Sequence, residues 1–204
     1  MAGPAGPPGP PAKPAAAKAA GTARPVRSYP RPLEETAAAK PLLGRLDALL
    51  AGALQPRLAT ATARARERLA GSGEPFGWAV LDLPPDELPP SIGSAWVFAI
   101  AGGTHPEPHR HPNSVQHLRS LSGEGRVVLS RIGADARQVF VLNAGRPWLV
   151  IGQDVVHDVA STSAAEWVVA SFHTVPAAEL VEVTAAGVRH YAGPLPDAYA
   201  ARRD

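Results

Sequence analysis

The stretch GTHPEPHRHPNSVQHLRSLSG, residues 103–123, holds four of the seven histidines in a chain of 204 residues. His109 and His111 lie two apart, so on a β-strand both side chains leave from the same face. Neutral imidazole is the commonest protein ligand for a first-row metal, and two on one strand make half of a coordination sphere. A third ligand has to come from elsewhere. His157, in GQDVVHDVAS, lies in a β-like run where an opposing strand can return beside the first. His117 directly follows Gln116, so on a strand it faces the other way and is expected at the surface. His105 sits in a proline-rich loop, and Asn113 and Ser114 follow Pro112 as turn residues.

The flanking sequence has the same β texture. GWAVLDL, AWVFAIA, GRVVLSRIG, RQVFVLN, PWLVIG, DVVHDVAS, EWVVASFHTV and ELVEV are short runs rich in valine, tryptophan and phenylalanine, punctuated by Gly, Pro, Asn and Asp. No helix-length segment falls between about residues 95 and 175. Short strands without helical crossovers predict an antiparallel sandwich or closed barrel rather than an α/β fold.

At this point the chain resembles a known family. Gly103, His109-x-His111, Gln116 and Gly123 stand at the intervals of the first motif of the cupin superfamily, in which Gly, HxH, a glutamate and Gly follow in that order. His157 falls where the histidine of the second cupin motif belongs, whereas Gly152, Asp154 and Ser161 replace the Pro, Gly and Asn usual there. The resemblance covers about residues 77–175. It implies an all-β double-stranded β-helix, or jelly-roll barrel, with His109, His111 and His157 as metal ligands and Gln116 in the glutamate's place. An amide oxygen brings no charge, so the metal would stay more Lewis-acidic, in effect a three-histidine centre with open positions. Gln116 can instead bind a water or a substrate oxygen. Thiol dioxygenases and gentisate-type ring-cleaving enzymes of this superfamily use three histidines, and HRHPNS is similar to the HRH segment of the latter.

Other residues leave alternatives open. In EWVVASFHTV, alternation puts Trp167, Val169, Ser171 and His173 on one face, which suits a cavity wall or an outer face beneath helices. On the first reading His173 is an acid/base candidate. Arg110 should point away from the metal. Arg119 and Gln138 are candidates to reach a carboxylate substrate. Trp96, Trp148 and Trp167 read as core or cavity wall.

Upstream, PLLGRLDALLAGALQP places Leu42, Leu43, Leu46, Leu49, Leu50 and Leu54 at helical spacing, and RLATATARARERLAG resumes after Pro56 as an alanine-rich helix. The expected organisation is a tail over 1–32, a helical extension over 33–72 and a barrel over 73–204. The leucine stripe would pack on the barrel or against a second copy in a homodimer. The first 32 residues hold nine prolines, nine alanines and almost no large apolar side chains, so they cannot offset the entropy of ordering and are expected to be disordered. They carry five cations and no acid, while the whole chain is at +2, which leaves −3 on the remainder. The basic balance belongs largely to that segment and says little about a nucleic-acid surface on the folded part, so no nucleic-acid partner is expected. The absence of cysteine excludes disulfides, thiolate metal sites and cysteine nucleophiles. No run reaches the ~20 apolar residues of a membrane span, and the opening has no secretory pattern, so a cytoplasmic location is expected.

Together these readings point to an enzyme, a non-haem iron oxygenase or dioxygenase acting on a small organic substrate. Fe(II) is the favoured ion, with Mn, Ni or Zn as alternatives. A non-catalytic or sensory metal-binding cupin, and a redox-neutral metal-dependent isomerase, would use the same ligands.

Overall fold

Pro41 and Pro56 set the starts of two helices in the computed structural model, which describes residues 39–133 and 135–190. Proline suits the first helical turn because the N–H it lacks would have no helical partner there. Helix α1 (Lys40–Ala51) buries Leu43, Leu46 and Leu50 along one stripe, and α2 (Gln55–Ser72) buries Leu58, Ala61 and Ala65. Gly73, in the left-handed region at φ 68°, ends α2. The expected tail over 1–32, and the ends of the expected extension and barrel, lie outside the described residues.

Eleven strands follow among the described residues: β1 (Phe76–Val80), β2 (Ser94–Ile100), β3 (His109–Arg110), β4 (Gln116–Ser122), β5 (Gly125–Arg131), β6 (Arg137–Leu142), β7 (Trp148–Ile151), β8 (Val155–Ser161), β9 (Trp167–His173), β10 (Val181–Thr184) and β11 (Gly187–His190). They form two antiparallel sheets in the orders β1-β2-β9-β4-β7 and β11-β10-β3-β8-β5-β6. The pairs β5–β6, β4–β7, β3–β8 and β2–β9 nest inside one another, and successive pairs fall alternately in the two sheets. Strands β2 to β9 are thus one long hairpin wound into a helical barrel, the double-stranded β-helix.

Two apolar layers hold it. Between the sheets, Ile100, Leu118, Val127, Phe140, Trp167 and Val169 pack from alternating positions. On the outer face of the five-stranded sheet, Val97, Val150, Val168 and Phe172 meet Leu43, Leu46, Leu50 and Leu58 of the helices. That sheet is therefore buried on both faces, which is why all seven residues of β9 are buried. Each large side chain removed from water contributes roughly 1.5–3 kcal/mol. The leucine stripe covers the barrel, one of the two roles expected for it.

Two glycines allow close approaches. A Cβ at Gly77 would stand 2.0 Å from the carbonyl oxygen of Ala65 in α2, so the helix lies on β1 only because that position has no side chain. Gly123 turns β4 into β5 at φ 77°, where a Cβ would also meet the Glu166 carbonyl oxygen at 2.4 Å. Among the described residues no helix is long and apolar enough to cross a membrane.

Candidate metal centre

The wound hairpin sets His109 of β3 directly opposite His157 of β8. Their ring centroids are 4.1 Å apart, and His111, one residue beyond β3, lies 5.1 Å from His109 and 5.3 Å from His157. Each ring is held from behind. Nδ1 of His109 meets the Glu107 carbonyl at 3.0 Å, that of His111 the Val181 carbonyl at 2.9 Å, and that of His157 the Val155 carbonyl at 3.2 Å. A carbonyl only accepts, so each Nδ1 is the donor, and Nε2 is the nitrogen that carries the lone pair whenever the ring is neutral. Nε2 of His157 is buried and has no hydrogen-bond partner. One ligand atom from each of the three histidines lies within 4.8 Å of the other two. Two ligands of one ion with ~2.1 Å bonds stand about 3.0–4.2 Å apart, so a small inward shift brings this set onto a metal. The donor chemistry and the orphaned nitrogen fit a first-row divalent cation.

Electrostatics point the same way. Burial, then the neighbouring His109, lowers His111 from 6.5 to about 4. Burial, then His109 and His111, holds His157 well below its ordinary value. Both are therefore neutral, as ligation requires, at neutral pH.

Gln116, on β4, faces the same space. Its Nε2 donates to Ser171 Oγ at 2.8 Å, and its buried Oε1 has no hydrogen-bond partner among the described residues. Ser171 Oγ is 3.0 Å from Nε2 of His173, and Nδ1 of His173 is 3.2 Å from Ser114 Oγ. His173 thus faces inward, 4.8 Å from the His111 ring, which decides between the two faces open to it from sequence. Burial, then His111 and His109, keeps it neutral. Its hydroxyl partners tie it to Gln116, so in this arrangement it fixes the amide's orientation. Ser114 does more than form a turn: it is 1% exposed and also accepts the Thr174 N–H. Asn113 clamps the same loop to Glu179 and Val181.

A cavity of about 260 Å³ opens in front of the site, lined among others by His109, His157, Gln116, Glu182, Phe98 and Trp167. This volume suits a small organic molecule rather than a drug-sized one. Glu182 of β10 is buried, with a carboxylate oxygen 3.7 Å from Nε2 of His109. The sequence conceals it, because in LVEVT the valines look like the inward face and the glutamate like the wet one. The structure inverts that pattern, with Glu182 buried and Val181 and Val183 partly exposed.

Three other expectations are corrected. His117 does point away from the cavity, but it is buried, because the helical layer covers that face of the sheet; burial lowers its pKa. Arg119 also points outward, donating from Nε to Asp47 Oδ1 of α1 at 2.7 Å, and Gln138 is exposed on β6, so neither lines the cavity. Arg110 pairs with Asp154, away from the triad as expected, and His105 is exposed in its loop. Trp148 packs under the helices and Trp167 lines the cavity, its indole N–H donating to Ser120 Oγ at 3.0 Å.

The barrel is a double-stranded β-helix of two antiparallel sheets, and its inner face carries three histidines that could hold a metal ion. No protein-family model and no curated protein matches the chain. Among solved structures it is similar to the capsular polysaccharide assembling protein CapF from Staphylococcus aureus, at 13% identity and TM-score 0.45 over 50% of this chain and 29% of that one. An oxalate decarboxylase from Lactobacillus farciminis, as its formate complex, is similar at 18% identity and TM-score 0.45, over 55% of this chain and 32% of that one. An oxalate oxidase in complex with the substrate analogue glycolate is similar at 19% identity and TM-score 0.43, over 52% and 53%. The chain spans about a third to a half of these proteins.

Proposed function

We propose that His109, His111 and His157 hold one divalent metal ion, Fe(II) in the first place and Mn, Ni or Zn otherwise, and that the chain is a non-haem oxygenase of a small organic substrate. The observation that carries this reading is the convergence of three imidazoles whose Nδ1 atoms are all tied to backbone carbonyls, with the buried Nε2 of His157 left unpartnered. Backbone acceptors of this kind fix the tautomer and ring orientation of metal-ligating histidines. Three neutral ligands leave open positions, and a bound Fe(II) would supply the one-electron chemistry that O₂ needs. The protein's own part is to orient and to exclude water. Gln116 offers a neutral amide oxygen beside the triad, held in place by Ser171. His173 keeps that hydrogen-bond chain in one direction. Phe98, Trp167 and Leu118 give the substrate a dry wall.

The test is metal analysis of protein purified without chelator, followed by oxygen-uptake measurements with small phenols, thiols and amines. About one iron per chain and substrate-dependent uptake are expected. Protein that neither retains nor takes up any first-row metal would sink the centre itself. Bound iron without uptake would move the chemistry to a redox-neutral reaction.

A further inference from the structure

The two sheets end in four edge strands, and one of these edges is left open. β1 lies beneath α2, which approaches it at Gly77. β7 is four residues long and buried throughout. β11 is also four residues long and carries Gly187 and Arg189. β6 differs from all three. Among the described residues it pairs only with β5, and its six residues, RQVFVL, include no proline, glycine or acid. Edge strands are normally blunted by shortness, charge, proline or a cover, because their outward N–H and C=O groups template another strand. Four large apolar side chains are exposed among the described residues, and three of them, Ile132, Val139 and Val141, lie on β6 or in the turn before it. Val139 is 59% exposed and Val141 42%. The leucine stripe of α1, by contrast, is already covered by the barrel.

We infer that β6 is an interface with a second copy of this chain, the two β6 strands pairing antiparallel about a two-fold axis at Phe140 so that the six-stranded sheets join. A two-fold axis perpendicular to the sheet keeps the same face outward in both copies and makes the contact isologous. It sets Val139 opposite Val141 of the partner subunit, and Val141 opposite the partner's Val139, in one apolar block. Cross-strand pairs of this kind stabilise a ladder. The ends of the strand match in charge. The same axis brings Arg137 of each copy opposite Asn143 of the partner subunit. Within one chain, Asn143 donates from Nδ2 to Glu124 Oε2 at 3.0 Å, so the guanidinium of one copy meets the carboxylate end of the other. Arg137 and Glu124 are both exposed. The rest of the chain does not supply a matching strand. Residues 1–38 and 191–204 hold one valine, Val26, and no isoleucine, and Pro25 and Pro30 flank that valine. Proline cannot donate to a ladder. The alternation that fits β6 is therefore the one β6 itself presents when turned about this axis.

The test is sedimentation velocity of the full chain over a micromolar concentration range, where a dimer is expected. Val139→Lys combined with Val141→Lys sets like charges directly opposite one another and should weaken the dimer at least about tenfold. Val188→Lys, at an equally exposed valine on the other edge of the sheet, should leave it unchanged. Arg137→Glu should weaken it as well, and adding Glu124→Arg to that variant should restore part of the loss. The β-type circular dichroism spectrum of the parent is expected in every variant; if the double valine variant loses it, the charge exchange decides alone. A chain that stays monomeric over the whole range overturns the inference. So does a dimer that the folded double valine variant leaves intact, or one that Val188→Lys weakens equally.

Discussion

Acid should destabilise the metal-free protein through its buried histidines. His111 keeps its neutral form in the folded chain down to about 4, whereas in the unfolded chain it takes up a proton near 6.5. Between those two values the unfolded state binds more protons, so stability falls as pH falls. The loss begins near the unfolded value and ends below the folded one. At about pH 5 the unfolded state gains about 2 kcal/mol from this residue alone. His157 and His173, both fully buried and both shifted downward by burial, act in the same direction. Urea denaturation followed by tryptophan fluorescence, with chelator present, at about pH 7.5 and about pH 5, measures the effect. Carboxylates contribute to the total, so His111→Gln is the control: it should reduce the difference between the two pH values by about 2 kcal/mol. An unchanged pH dependence in that variant refutes the reasoning, because His111 would then titrate alike in both states.

Replacing the triad has a different signature. His109→Ala and His157→Ala should lose metal while keeping the β-type circular dichroism spectrum; retention of stoichiometric metal in either would show that the convergence of imidazoles is not a ligand set. Gln116→Glu puts a charge beside the triad and should tighten divalent-metal affinity about tenfold by calorimetry, since the carboxylate neutralises part of the ion's charge; equal affinity would place residue 116 out of the ion's reach. His117→Ala should keep its metal and lose about 2 kcal/mol in urea, as truncations of buried groups do, and loss of metal would show the strand phase to be wrong. Leu46→Ala, at a fully buried position of α1, should cost about 2–5 kcal/mol and leave metal affinity unchanged; a cost below 1 kcal/mol would mean that the helical layer is loosely packed.

The barrel was legible because its signals are local and periodic. Valine-rich runs between turn residues marked most of the strands, and the spacing of His109 and His111 fixed which side chains share a face. The partner at His157 was legible too, since a β histidine at that distance suits a returning strand. What escaped depends on layers that a single strand does not record. β4 (QHLRSLS) looks polar on both faces, with Gln116 and Ser120 turned to the barrel interior and His117 and Arg119 to the helices. Its outer residues read as solvated unless the helical cover is known, and hence the surface expected for His117. Glu182 escaped for the reverse reason. An acid between valines looks like the wet face of an edge strand, and only the pairing of β10 with β3, Thr184 opposite His109, brings it to the triad. The alternation of EWVVASFHTV was read correctly, yet which face was inward could be decided only by the position of β9 between β2 and β4.

The nested pairing also orders events in time. β5 and β6 are joined by a short turn and can close first, β4 and β7 next, and His109 meets His157 only when the third pair zips, across 47 intervening residues. Non-local pairings of this kind are slow, because chain closure precedes the contacts that reward it. An ion added to the unfolded chain therefore finds no assembled triad to nucleate on. An ion bound by the triad would act chiefly on the unfolding rate, which it would slow by holding the two-residue strand β3 to β8.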